Sequence, residues 1–180
     1  MKSIANDSSE FELCKPHIKY WYVIYVRSRH EKKVHQLLQE KGIESSLPLI
    51  KTVRIWSDRK KKVEVPLFKG YVFVYIDIQK DRYNLLQTDG VVKFISINNV
   101  PSRISSQQIY WLNTMVGESD SIRLEKNIPI GEKVRVIIGP FKGIEGVVAR
   151  SVKQPKLVVI VESIMQVVSV HIKPEYLEKI

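Results

Sequence analysis

Two runs of aromatic and β-branched residues constrain this chain more than any other feature. Trp21 to Val26 and Gly70 to Ile78 carry apolar side chains at successive positions, not only at alternate ones. Because successive side chains of a β-strand point to opposite faces, each run predicts a strand that is buried on both faces. The two runs therefore predict a sheet with further structure packed on each side, and we place the first run at its centre.

Segments with helical periodicity lie between these two strands and after them. Apolar side chains recur at spacings of three and four over residues 29–41, where we predict a helix that Ser28 caps and Gly42 ends. A helix over 105–116 is predicted to be capped by Ser105. Further predicted elements are strands over 43–50 and 91–97, a hairpin over 51–65 with its tip at 57–62, and a short helix over 82–87. The order β-α-β-β-β-α-β-α predicts the α+β class, with a mixed or antiparallel sheet and flanking helices.

The composition changes after residue 117. Residues 118–127 are polar and charged without periodicity, which predicts an interdomain linker. Beyond it, short strand-like segments are interrupted by Gly and Pro, and such strands bury their apolar faces by curling into a small SH3-like β-barrel. The strands predicted there are 133–138, 146–152, 157–164 and 166–172. The predicted organisation is a disordered N-terminal tail over 1–19, a first domain over 20–117, the linker over 118–127 and a second domain over 128–180.

The net charge and the hydropathy narrow the possible partners. The formal net charge of +10 at pH 7 favours a polyanionic partner, most commonly nucleic acid, although many basic proteins simply have a solvated basic surface. No apolar run approaches the ~20 residues of a membrane-crossing helix, and residues 1–20 carry charges where a signal peptide needs an apolar stretch. We therefore expect a cytoplasmic protein that does not contact membranes.

The sequence lacks the common motifs of catalysis and of metal binding. It contains no Walker phosphate loop and no HExxH, GxSxG or CxxC motif, and Cys14 is its only cysteine. The histidines are dispersed, and the five-residue spacing of His30 and His35 places them on diverging faces of a helix. We therefore predict no catalysis, no cofactor and no metal.

Two basic clusters in the first domain are candidates for nucleic-acid binding. One opens the first predicted helix, where cations oppose the helix dipole and so weakly favour a functional reason for their presence. The other lies at the predicted hairpin tip, where lysines equally serve to protect a sheet edge from aggregation. If both flank one groove, their binding to DNA phosphates would be sensitive to salt. The candidate DNA-binding residues are Arg27, Arg29, His30, Lys33, Arg59, Lys60, Lys61 and Lys62.

The second domain contains a strand, a glycine-rich turn and a returning strand. Residues 131–148, GEKVRVIIGPFKGIEGVV, resemble the KOW motif of NusG proteins and of some ribosomal proteins. Gly139 and Gly143 suit backbone angles that other residues resist, and Phe141 between them is predicted to cover one end of the barrel. The predicted motif residues are Gly131, Val134, Val136, Gly139, Phe141, Gly143 and Gly146.

The first domain is similar to the NusG N-terminal domain. The similar segments, in the same order, are WYV at 21–23, the amphipathic helix after it, Leu47-Pro48, and PLFKGYVFV at 66–74. The sequence around Phe68 and Tyr71 resembles the specialised paralogues, such as RfaH and the capsule-operon antiterminators, more than housekeeping NusG. Lys69 differs from the proline that many members have, which leaves the turn less rigid.

This resemblance implies a non-enzymatic, monomeric transcription elongation regulator and antiterminator. The first domain is expected to bind the clamp helices of RNA polymerase and upstream or non-template DNA, and so to suppress pausing and termination at selected operons. The residues expected to bind polymerase are Leu67, Phe68, Gly70 and Tyr71. The KOW domain is expected to bind a ribosomal protein, Rho or no partner. Two alternatives stay open, namely a KOW-type RNA- or ribosome-binding protein and a general housekeeping NusG.

Overall fold

The computed structural model describes residues 17–55, 60–118, 122–125, 131–149 and 156–180. In chain order the first part contains β1 (Tyr20–Val26), α1 (Glu31–Glu40), β2 (Glu44–Ser46), β3 (Leu49–Ile55), β4 (Lys60–Pro66), β5 (Tyr71–Ile76), α2 (Ile78–Leu86), β6 (Val91–Phe94), β7 (Ser96–Ile97), β8 (Val100–Pro101), β9 (Arg103–Ile104) and α3 (Ser106–Glu118). The second part contains β10 (Arg123–Glu125), β11 (Glu132–Val136), β12 (Glu145–Ala149), β13 (Lys156–Val161), β14 (Gln166–His171) and β15 (Leu177–Lys179).

Strand β1 is the centre of the first sheet, as predicted. It lies between β5 and β6, it also pairs with β9, and β2 extends the sheet beyond β5. All of these pairings are antiparallel, which confirms the predicted α+β class. The second apolar run forms β5, directly beside the first run, in a register that pairs Tyr22 with Val74 and Ile24 with Val72.

Both faces of this sheet are buried, as the two apolar runs predicted. On one face, Ile24 and Val72 pack in one core with Val34 and Leu38 of α1 and with Leu85 of α2. The opposite face belongs to a second core, which contains residues of β1, β5 and α3, namely Trp21, Val23, Phe73, Ile109, Leu112 and Met115. Because each aliphatic side chain stabilises the fold by about 1.5–3 kcal/mol when fully buried, these two layers hold β1 and β5 in place.

Helix α1 begins later than predicted and without the predicted cap. Its N-cap residue is His30, which makes no side-chain cap, and Ser28 is therefore not the cap. The chain first turns through Arg29 at a φ of 65°, so Ser28 lies too far before the helix to accept a hydrogen bond from its first turn. The predicted end is confirmed, because Gly42 has a φ of 70° and the Ile43 N–H donates to the Leu38 carbonyl at 2.9 Å.

The other two helices differ in how closely they follow the prediction. Ser105 caps α3, since its Oγ accepts a hydrogen bond from the Gln108 N–H at 3.1 Å. Helix α2 starts four residues before the predicted start at 82, because Asp77 caps it by accepting from the Gln79 N–H at 2.9 Å. His17, within the predicted tail, is hydrogen-bonded to the same carboxylate at 2.8 Å, while residues 1–16 lie outside the described residues.

Strands β3 and β4 form a separate antiparallel ribbon, whose register runs from Leu49 opposite Pro66 to Ile55 opposite Lys60. The predicted strand over 43–50 is therefore divided between β2 and β3, because β2 pairs with β5 and β3 pairs with β4. The predicted strand over 91–97 is likewise divided between β6 and β7. Of the hairpin tip predicted over 57–62, residues 57–59 lie outside the described part of the chain.

The second part forms a six-stranded antiparallel sheet in the order β10-β14-β13-β12-β11-β15. Most of its buried side chains are aliphatic and come from several strands, including Val134, Val136, Leu157, Val159 and Val168. This agrees with the small β-barrel expected after residue 128. Strand β10 lies inside the range predicted as linker and pairs with β14, an interaction that local composition does not encode. The division into four parts stays a prediction.

Candidate functional site

The turn between β4 and β5 contains the four residues predicted to bind polymerase. Leu67 and Phe68 are each only 2% exposed. The Leu67 N–H donates to the Pro48 carbonyl at 2.8 Å, and the Phe68 ring packs edge-to-face on Phe73 with 5.9 Å between the ring centroids. Both side chains are therefore core residues in this structure, and almost all of their surface is shielded from solvent.

The other two residues of the turn, Gly70 and Tyr71, both lie against the Tyr25 ring. Gly70 has a φ of 81°, and a Cβ atom there would lie 2.9 Å from the Tyr25 ring, so glycine is required. Tyr71 packs edge-to-face on Tyr25 at 5.9 Å, and both rings are partly exposed. Tyr25 was not among the predicted residues. Its signal was its place in an apolar strand, where an aromatic side chain ordinarily predicts core.

Glu31 is a second residue that the sequence analysis missed. Its carboxylate Oε1 accepts a hydrogen bond from the Gly70 N–H at 2.8 Å, and the side chain is buried. In the sequence it is the single acid among the cations at the start of α1, and this was the only indication that it has a particular role.

A hollow of about 560 Å³ lies beside the turn. Its walls come from the β3–β4 ribbon, from the turn and from the segment of β10, and they combine aliphatic side chains with lysines. The residues that line it include Ile50, Val65, Leu67, Lys69, Ile122 and Leu124. The hollow therefore combines an apolar surface with positive charge.

The first basic cluster is partly neutralised by an acid. The Lys33 Nζ lies 2.7 Å from Asp89 Oδ2, and an Arg27 guanidinium nitrogen lies 3.6 Å from Asp89 Oδ1. The hydrogen bond from Lys33, and then its charge, lower the pKa of the Asp89 carboxyl. Arg29 is exposed, while His30 is half-buried with its Nδ1 3.1 Å from the Ser28 carbonyl oxygen. The structure thus joins Arg27 and Lys33 through an acid that the sequence analysis did not include.

The second basic cluster lies on the separate β3–β4 ribbon. Lys61 and Lys62 are exposed, Lys60 is described only in its backbone, and Arg59 lies outside the described residues. In register, Lys61 stands opposite Arg54 on the neighbouring strand. The exposed Lys61 and Lys62 give this ribbon positive charge at its surface.

The residues of the predicted KOW motif have structural roles. Val134, Val136 and Phe141 are buried, and Gly139 and Gly143 have φ values of 90° and 88°. The Gly143 N–H donates to the Val136 carbonyl at 2.7 Å, which closes the turn. A Cβ atom at Gly131 would collide with the Val148 carbonyl, and one at Gly146 would collide with the Val158 carbonyl.

His35, which lies outside both basic clusters, is half-buried. Burial lowers the pKa of His35, whose ring lies 2.8 Å from the Ser45 hydroxyl. In the described part of the chain, no group of three or more His, Cys, Asp or Glu side chains is placed to hold a metal ion. No helix among these residues is long and apolar enough to cross a membrane.

Comparison with known proteins gives consistent matches. The family model described as Transcription termination factor nusG matches residues 19–113, slightly more than half of the chain. The chain is 26% identical over 180 residues to the Transcription termination/antitermination protein NusG of Borreliella burgdorferi, covering 89% of this chain and 98% of that protein. It is 31% identical over 142 residues to the protein of the same name from Pseudomonas aeruginosa, covering 72% and 80%.

A likeness in structure accompanies these sequence matches. The solved structure described as "Domain interaction in Thermotoga maritima NusG" superposes with a TM-score of 0.51 at 23% identity, and the match covers 91% of this chain and 98% of that one. At this identity the likeness supports the fold alone.

Proposed function

The chain belongs to the NusG family of transcription termination/antitermination factors, and we propose that it regulates elongation by docking on RNA polymerase beside Gly70. The observation that carries this proposal is the partly exposed pair of Tyr25 and Tyr71 at the turn whose residues Leu67 and Lys69 line the hollow. Aromatic side chains beside a shallow apolar depression are the usual anchors of a protein interface. The chemistry of transcription stays in the polymerase.

The proposed partner surface is a helical one, because the resemblance to NusG proteins implies the clamp helices. Tyr71 is the proposed anchor, with Tyr25 beside it. Leu67 and Phe68, which are buried, support the turn from beneath and contribute to binding through its shape. Gly70 permits the left-handed turn that brings Tyr71 next to Tyr25.

Binding to DNA is proposed for the β3–β4 ribbon first. Lys61 and Lys62 are exposed, and the ribbon concentrates positive charge. Arg27 and Lys33 are weaker candidates because Asp89 lies between them and would compete with a phosphate. Upstream duplex or the non-template strand is the proposed ligand. On duplex DNA, each phosphate that the protein neutralises would steepen the fall of log affinity with log salt concentration by about 0.9.

Action at selected operons is proposed from the sequence of the turn, Pro66-Leu67-Phe68 with Tyr71 and Phe73, which is similar to the specialised paralogues. General action at all transcribed genes is the alternative, and mapping of the protein's occupancy across its genome separates the two. Broad occupancy would rule out specialisation. Co-elution with ribosomal subunits instead of polymerase would support the KOW-type ribosome-binding alternative.

Replacement of Tyr71 by alanine tests the docking site. We expect Tyr71→Ala to weaken binding to RNA polymerase by at least about tenfold, as for the central aromatic residues of other interfaces. Tyr110→Ala is the matched control, because Tyr110 is 60% exposed on α3 and takes no part in the aromatic pair. Full-strength binding by Tyr71→Ala, measured with the folded variant, would contradict the proposal.

A further inference from the structure

Glu31 is a charged side chain that lies inside the fold. It is the first residue of α1, where an acidic side chain interacts favourably with the helix dipole even when it stays in water. Nevertheless it is only 5% exposed. Glutamates are rarely buried unless their charge is paired or hydrogen-bonded, because desolvation of a carboxylate costs free energy. A specific interaction must therefore offset the cost of its burial.

That interaction is with the backbone of the docking turn. Oε1 of Glu31 accepts the Gly70 N–H at 2.8 Å, in a buried hydrogen bond between residues 39 positions apart. On its other side, the Gly70 carbonyl accepts the Val26 N–H at 2.8 Å. Gly70 is thus held by α1 through Glu31 and by β1 through Val26.

The orientation of Gly70 decides where Tyr71 lies. The turn is in the left-handed region, with a φ of 81° at Gly70, and it passes so close to Tyr25 that only a hydrogen atom fits between them. Tyr71 follows directly and packs on the same Tyr25 ring. The Tyr71 N–H reaches the Phe68 carbonyl only at 3.4 Å, so the turn's own hydrogen bond is long. The order of the turn therefore depends on hydrogen bonds to residues outside it, and Glu31 supplies the one at the Gly70 N–H.

We propose that Glu31 is a positioning residue, which holds the Gly70 turn so that Tyr71 is presented to RNA polymerase. The proposal rests on the docking function proposed above. The turn needs an acceptor atom at the distance of a glutamate Oε1, and the negative charge is secondary. Length and charge can be separated, since glutamine keeps the reach and loses the charge whereas aspartate keeps the charge and is shorter by one methylene group.

The test compares Glu31→Gln with Glu31→Asp in the full chain. We expect Glu31→Gln to bind RNA polymerase within about twofold of the wild type, and Glu31→Asp to bind about tenfold more weakly, equivalent to about 1.4 kcal/mol. Amide hydrogen exchange at Gly70, followed by NMR, is expected to accelerate in Glu31→Asp and to stay slow in Glu31→Gln. Glu40→Asp is the control, because Glu40 is exposed on the same helix.

The two readouts separate the positioning role from the docking function. Unchanged Gly70 exchange in Glu31→Asp would overturn the positioning role, even if binding fell. Equal loss of binding in Glu31→Gln and Glu31→Asp would overturn it too, because charge rather than reach would then matter. Gly70 exchange can respond as expected while Tyr71→Ala still binds at full strength. In that case Glu31 orders the turn, but the docking function is wrong and the presentation of Tyr71 to polymerase is overturned.

Discussion

The proposed docking turn, at residues 67–71, and the KOW turn, at residues 139–143, each depend on left-handed glycines, yet they are held in different ways. Gly143 donates its N–H to Val136, seven positions before it, and a Cβ atom there would meet nothing within 4 Å. Gly70 bonds to Glu31 and Val26, and a Cβ atom there would meet the Tyr25 ring. Gly143 is therefore held within its own segment, whereas Gly70 is held by elements far away in the chain. The segment that leads into the KOW turn still makes a distant contact, because the Ile137 N–H donates to the Tyr176 carbonyl at 2.9 Å.

This difference explains which contacts of each turn a sequence motif can describe. A turn closed by its own strands carries its requirements in consecutive residues, so its sequence is recognisable. A turn held by distant side chains depends on residues that no local pattern connects to it, such as Tyr25 and Glu31. The same dependence suits a docking surface, because distant changes in the fold can alter its shape.

Replacing Gly70 or Gly143 by alanine is expected to give the largest difference in stability between the two turns. We expect Gly70→Ala to lower the free energy of unfolding by about 3 kcal/mol, since backbone strain and a steric conflict with Tyr25 add together. Gly143→Ala should cost only about 1–2 kcal/mol, because only the strain applies. Urea unfolding of both variants measures the two decreases in stability. Equal decreases would break the distinction between the turns.

The two basic clusters are expected to differ in how much they contribute to DNA binding. We expect Lys61→Ala with Lys62→Ala to reduce the slope of log affinity for duplex DNA against log salt concentration by about 1.8, or about 0.9 for each phosphate that is no longer neutralised. Lys33→Ala should reduce it less, because Asp89 already binds that ammonium group. Titrations at several salt concentrations measure the slopes. A larger change for Lys33→Ala would reverse the order proposed for the two clusters.

The smallest expected effect concerns pH and another long-range interaction, between Asp77 and His17. The hydrogen bond from His17, and then that from the Gln79 N–H, lower the pKa of Asp77. Because the folded-state pKa lies below the unfolded value of 3.8, the stabilisation is present above about pH 3.8 and is lost as pH falls through the folded-state pKa. Asp77→Asn should therefore lower the melting temperature at pH 7, and this difference should shrink at pH 3. A difference that is constant between the two pH values would show that ionisation of Asp77 contributes nothing.

Local chemistry along the chain is sufficient to specify most of the elements and the central strand of the first sheet. Strands β1 and β5 are visible because successive apolar residues in a strand require burial on both faces, and Ser105 and Gly42 mark helix ends through local hydrogen bonding and backbone angles. The KOW motif is visible because its glycines and buried valines stand at fixed positions in one short segment, although carbonyls of other strands, at Val148 and Val158, are what require Gly131 and Gly146. The family match over 19–113 agrees with the resemblance carried by the segments of the first domain.

Long-range packing, in contrast, sets which side chains of the site are presented to solvent. It buries Phe68 in a core with Trp21 and Met115, leaves Tyr25 partly exposed, and places Glu31 on Gly70. It also pairs β10 with β14 and adds Ile122 and Leu124 to the hollow. Sequence patterns report whether a residue is apolar or charged, but exposure and hydrogen bonding depend on which distant elements pack against it. For this reason the elements follow from neighbouring residues, while the surface of the site follows from how those elements meet.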